Sequence, residues 1–147
     1  MKVIEAVELY NELKGLKDLS RISSKSRVSL VKSICALRLI ADDYKVFRQE
    51  LNEKLMPEGY EDLLQKVVKH QEAISKGKKS EITQEELTLY VLKDKQFAIP
   101  LNKALKEEDF REVDVSLSTI KEEEFDKLCL SNKLDAGQSA IIYNIVE

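Results

Sequence analysis

Residues 30–55, LVKSICALRLIADDYKVFRQELNEKL, decide the fold. Leu30, Ile34, Leu37, Ala41, Tyr44, Arg48, Leu51 and Leu55 recur at alternating spacings of four and three, the repeat of a helix packed along a seam. Only Arg48 interrupts the run. Val31, Cys35, Ile40 and Phe47 widen the apolar surface beyond a two-stranded seam, so the helix is expected to meet more than one neighbour. Pro57 and Gly59 end or kink it, because proline drives the residue before it out of the helical region. A seam this long exceeds what one small chain is expected to cover, which predicts a homo-oligomer.

Working outward, residues 58–75 place Tyr60, Leu63, Leu64, Val67, Val68 and Ile74 on one helical face. The simplest packing is an antiparallel hairpin with the long helix. Upstream, VIEAVELYNELK (3–14) forms a first helix stopped by Gly15, with Val3, Val7, Tyr10 and Leu13, or Ile4, Val7 and Leu13, on its inner face. Downstream, KGKKS (76–80) is a polar turn. Thr83 with Glu86 then makes a capping box, stapled by Ile82 and Leu87, for a helix over 84–93.

The remainder mixes two periods. QFAI (96–99) reads as a short strand followed by a helix that Pro100 leads, and EVDVSL (112–117) alternates as a strand does. Thr119 with Glu122 offers a capping box for a helix through Leu128, and Asp135 with Gln138 repeats the device before the apolar tail SAIIYNIV. The fold class expected is mainly α, of the α+β kind: a long antiparallel helical hairpin with a small C-terminal strand-containing segment. It is read as a single domain over 1–147, with a helical hairpin region (1–80) and a mixed helix and strand region (81–147).

Composition agrees with a packed helical chain. Hydrophobic residues make up 43% of the 147 positions, enough for a real core. Four glycines and two prolines leave few turn devices, which favours long helices. The start lacks the pattern of a secretory signal, and no run approaches the roughly 18 apolar residues of a membrane span, so a cytoplasmic protein is expected. Cys35 and Cys129 sit in apolar settings without further ligands and are read as two reduced, buried thiols. Charge is uneven: residues 14–48 carry nine basic against three acidic side chains, whereas 81–126 carry thirteen acidic against six basic. Such segments are complementary, within a chain or between subunits.

The most unusual stretch for function is SRISSKSRVSLVKS (20–33). A helix start offers unpaired backbone donors and a partial positive charge, and serine hydroxyls and guanidinium forks beside it suit a phosphate or carboxylate. The ligand-binding candidates are Arg21, Ser23, Ser24, Lys25 and Arg27, with Arg38 and Arg48 further along the helix. Arg27→Glu is the substitution expected to abolish anion binding. The competing reading is that one serine caps, the cations are solvated, and Arg38 pairs with Asp42 at i, i+4. No phosphate-loop glycines accompany the serines. No spaced set of metal ligands is present, so neither metal nor cofactor is expected, and lone His70 lacks a legible catalytic partner. The chain therefore reads as non-enzymatic. A net charge of −3 and the absence of aromatics among the lysines argue against nucleic acid.

The order of VELYNELKGLKDL, then a basic connector into DDYKVFRQELNEKL, then QFAIPLNKALKEEDFREVDVSLSTI, resembles a family of short proteins encoded by tailed phages and prophages. In that family a helical hairpin is followed by a small strand and a short closing segment. The resemblance implies a phage or prophage origin and a setting in an infected or lysogenic bacterium; it carries no site residues with it. Two roles then compete. One is capture of an anionic, nucleotide-like small molecule such as a host immune signal. The other is a virion or assembly component that binds another phage protein through its helical faces.

Overall fold

The computed structural model describes residues 1–147. Six α-helices follow one another: α1 Val3–Gly15, α2 Ser24–Leu55, α3 Tyr60–Ser75, α4 Gln84–Asp109, α5 Glu122–Asn132 and α6 Ala136–Ile142, closed by a 3-10 turn at Tyr143–Ile145. The protein is mainly helical. Its residues divide into two compact units, one of 1–47 with 107–147 and one of 48–106.

The first unit holds the main core. Ala6, Leu9 and Leu13 of α1 meet Leu30 and Leu37 of α2, Phe125 and Leu128 of α5, and Ile142 and Ile145 of the tail, all buried. The inner face of α1 runs through Ala6 and Leu9 rather than Val7, which stays partly exposed. On α2 the buried positions are Ser26, Leu30, Ser33, Leu37 and Tyr44, so the four-and-three seam exists, begins one turn earlier than its leucines, and includes two serines. This seam is covered from within the chain. Val31 and Cys35, expected to widen it, lie on the opposite side and are exposed, which corrects the reading of Cys35 as a buried thiol. Both cysteines are free, and Cys129 is partly buried.

The expected strand-containing segment is absent. Pairing between extended segments is limited to two isolated bridges, Lys2 with Glu112 and Ile120 with Val146. Residues 111–120 are nevertheless extended, and Val113, Val115 and Leu117 all pack against the core, as their alternation requires. What is missing is a neighbouring strand. The backbone donors find other partners: Val113 N–H reaches Met1 O at 2.9 Å, Ser118 N–H the hydroxyl of Ser33 at 2.9 Å, and Ile120 N–H Ile145 O at 2.9 Å. Asn132 secures the connector in the same manner. Its Oδ1 accepts from the backbone N–H groups of Lys17 and Asp18, each at 2.9 Å, and its Nδ2 donates to Asp18 O at 2.9 Å and Leu128 O at 3.0 Å.

The strand expected at 96–99 is also absent, because α4 continues through it and through Pro100. Its reason is visible in the second unit, where the Tyr60 ring stacks on Tyr90 (centroids 5.9 Å apart) and contacts Phe97 (5.2 Å). Tyr90 and Phe97 are two helical turns apart, so both reach Tyr60 only if the chain between them is helix. Tyr60 also donates to Asp94 Oδ1 at 2.7 Å; burial first, and then this carboxylate, raise its phenol above the ordinary value. Lys66 Nζ meets Glu86 Oε2 at 2.6 Å, and Lys93 donates to the carbonyl of Glu58. These contacts pair α3 with α4 in antiparallel order. The link at 56–59 that joins α2 to α3 has a length suited to antiparallel neighbours, and Gly59, at φ 75°, supplies its left-handed residue.

The capping signals divide. Thr83 with Glu86 closes its box, the Glu86 N–H donating to Thr83 Oγ1 at 3.1 Å, and Asp135 with Gln138 does likewise at 2.8 Å. Thr119 does not cap. Its hydroxyl turns to Glu147 at 3.0 Å, and α5 begins after Lys121 and runs past Leu128 to Asn132.

Candidate functional site

The serine-rich start of α2 resolves into a self-contained cap. Ser23 Oγ accepts from the Ser26 N–H at 3.2 Å and donates to Ser26 Oγ at 3.1 Å, and Ser26 is buried. An anion does sit at this end, but it belongs to the chain: Glu124 Oε2 accepts from the Ser23 N–H at 2.7 Å. That backbone donor, aided by Lys127 and Ser26 against the opposing effect of burial, holds the Glu124 carboxyl below its ordinary range. A carboxylate from α5 thus does here what a bound phosphate does elsewhere.

The cations singled out in the sequence do not converge. Arg21 and Lys25 are exposed, and Arg27 donates to Ser24 Oγ at 3.0 Å. Arg38 is exposed and paired with Asp42 at 3.5 Å, as its spacing foretold. From Arg27 to Arg38 the helix rises about 16 Å, beyond the span of one small ligand. Arg48 is exposed and belongs to the second unit.

A different cationic cluster lies wholly within the second unit. α3 supplies Lys66, Lys69 and His70, the link to α4 supplies Lys79 and Ser80, and these side chains line a cavity of about 480 Å³. Glu86 occupies one wall through its bond to Lys66, which raises the lysine's affinity for its proton and, with the Thr83 N–H, lowers that of the carboxyl. Lys69 and Lys79 make no ion pair. His70 lines the same cavity, and its Nδ1 is buried away from solvent with no hydrogen-bond partner, a costly state.

The size suits a small molecule, since ligand cavities run from about 300 to 1,000 Å³. Glu81 and Glu86 add carboxylates to the lining, but Glu86 is held by Lys66, and the ammonium groups of Lys69 and Lys79 with the Ser80 hydroxyl suit an anion with oxygen acceptors. The sequence held one signal for this cluster: Lys66, Lys69 and His70 share a helical face by their three- and four-residue spacing. Lys79 and Ser80 join them only once the link folds back.

No group of three or more His, Cys, Asp or Glu is placed to hold a metal ion. No helix is long and apolar enough to cross a membrane. Compared with known protein families, curated proteins and solved structures, the chain matches none.

Proposed function

We propose that this chain is a non-enzymatic binding protein of phage or prophage origin that captures an anionic, nucleotide-like small molecule in the cytoplasm of its bacterial host. In this reading α2 and α3 form an antiparallel hairpin. The captured anion sits in the cavity of the second unit, not at the start of α2. One observation carries the reading: Lys69 and Lys79, neither of them in an ion pair, line with His70 a cavity of about 480 Å³.

The test is ligand-induced thermal stabilisation against mononucleotides, cyclic dinucleotides and ADP-ribose at low and high salt. A ligand at a hundredfold excess over its Kd adds about 2.7 kcal/mol of apparent stability. That gain is expected to vanish in a Lys69→Glu/Lys79→Glu double variant and to persist in Arg27→Glu. Loss in Arg27→Glu alone returns the site to the start of α2.

A second reading has its own support. α4 has no fully buried side chain, and it exposes Leu89, Val91, Leu92 and Ile99. Apolar exposure of that extent on one helix suits an assembly component that docks on another protein. Absence of a thermal shift with every member of the panel would favour it.

A further inference from the structure

The outward side of α2 carries a second apolar stripe that packing within the chain leaves uncovered. Val28, Val31 and Val46 are 53%, 54% and 53% exposed, Leu39 is 72% exposed, and Cys35 is exposed between them. At about 100° per residue these five side chains fall within an arc of about 80° opposite the buried Leu30, Leu37 and Tyr44, and the one charged residue inside that arc between Val28 and Val46 is Asp42, which is paired with Arg38. A helix apolar on two opposed sides is built to be covered twice.

The order of residues along the stripe identifies what covers the second side. Counted from the level of Leu37, Val28 lies as far toward the N-terminus as Val46 lies toward the C-terminus, and Cys35 mirrors Leu39 in the same way. Charge follows the mirror with opposite sign. Lys32 and Asp43, both exposed, stand on the same flank of the stripe at nearly equal distances from Leu37. When two copies of a helix pair antiparallel about a two-fold axis, the same flanks meet and each residue faces its mirror position. Lys32 of either chain then lies beside Asp43 of the other. A parallel pair would bring opposite flanks together and keep each residue at its own level, so Lys32 and Asp43 would not meet. On the other flank Arg38 is already neutralised by Asp42 of its own helix.

We infer that this stripe is a self-complementary interface through which two copies of the chain pair antiparallel along α2, with the two-fold axis level with Leu37. The inference is independent of the anion cavity. It also moves the oligomer interface from the seam that the sequence suggested, which the chain buries itself, to the face opposite.

Sedimentation equilibrium of the full chain at high micromolar concentration tests it. The expected mass is twice the monomer's 16.9 kDa. Leu39→Asp, at an exposed position, should keep the helical circular dichroism and sediment as a monomer. Lys32→Asp should weaken pairing at least tenfold, and adding Asp43→Lys should restore it. Oxidation should cross-link Leu39→Cys chains through the partner's Cys35, while the wild type, whose two Cys35 are out of register, stays uncross-linked. A monomeric wild type, a dimer indifferent to Leu39→Asp, or a charge swap that fails to restore pairing would overturn the inference.

Discussion

Ser33 is a buried polar residue that ties two distant segments of the first unit together. Its side chain is fully buried, and its hydroxyl both donates to Ser118 O at 2.8 Å and accepts from Ser118 N–H at 2.9 Å. One hydroxyl therefore stands in for a missing strand and pins the extended segment 111–120 to α2. Ser33→Ala deletes both bonds and leaves a backbone donor and a backbone acceptor without partners. Each such group costs about 1–3 kcal/mol when buried. The Ser118 bonds are only part-buried, so water recovers some of this and the lower part of the range applies. The expected loss is about 2–3 kcal/mol, or a Tm lower by about 5–10 °C for a domain of this size. Urea denaturation followed by circular dichroism measures it, with Ser116→Ala, an exposed serine on the same segment, as a control expected within about 0.5 kcal/mol of wild type. Hydrogen exchange should show the Ser118 amide deprotected in Ser33→Ala. A cost below about 0.5 kcal/mol with that amide still protected would refute the reasoning.

Asn132→Asp removes the two donations to Asp18 O and Leu128 O and sets a carboxylate against both carbonyls. It should cost at least about 2 kcal/mol in urea denaturation, and a cost under about 1 kcal/mol would show that the latch does not hold the connector. Glu124 supplies a pH dependence whose sign is set by its depressed carboxyl. Its contribution is fully present above the unfolded value near 4.5 and is lost as pH falls through the lower folded value. Glu124→Gln should therefore be less stable than wild type at neutral pH, and the gap should close as the solution is acidified below pH 4.5. A gap constant from pH 7 to pH 3 would exclude that role for the carboxylate.

Much of the framework was legible because it rests on local rules. One serine of the run caps α2, and it is Ser23; α1 ends at Gly15; and Thr83 with Glu86 and Asp135 with Gln138 close their boxes, each capping bond spanning three residues. The failures share a cause in distance. QFAI has strand propensity, yet Tyr60, 37 residues before Phe97, holds Phe97 in helical register. EVDVSL has the alternation of a strand, and its valines do face inward, but no second strand is at hand and a serine hydroxyl takes the place of a ladder. Ser26 and Ser33 occupy seam positions that a search for apolar residues passes over.

The sequence by itself determined that the chain is mainly helical and that Leu30 and Leu37 belong to a buried seam, because periodicity acts within a turn or two of the helix. Tertiary structure alone decided which anion satisfies the start of α2, since Glu124 lies 101 positions away in the chain. It alone brought Lys79 and Ser80 beside Lys69 and His70, and left Val28, Val31, Leu39 and Val46 facing outward. Exposure depends on which surfaces the rest of the chain covers, and no local pattern records that.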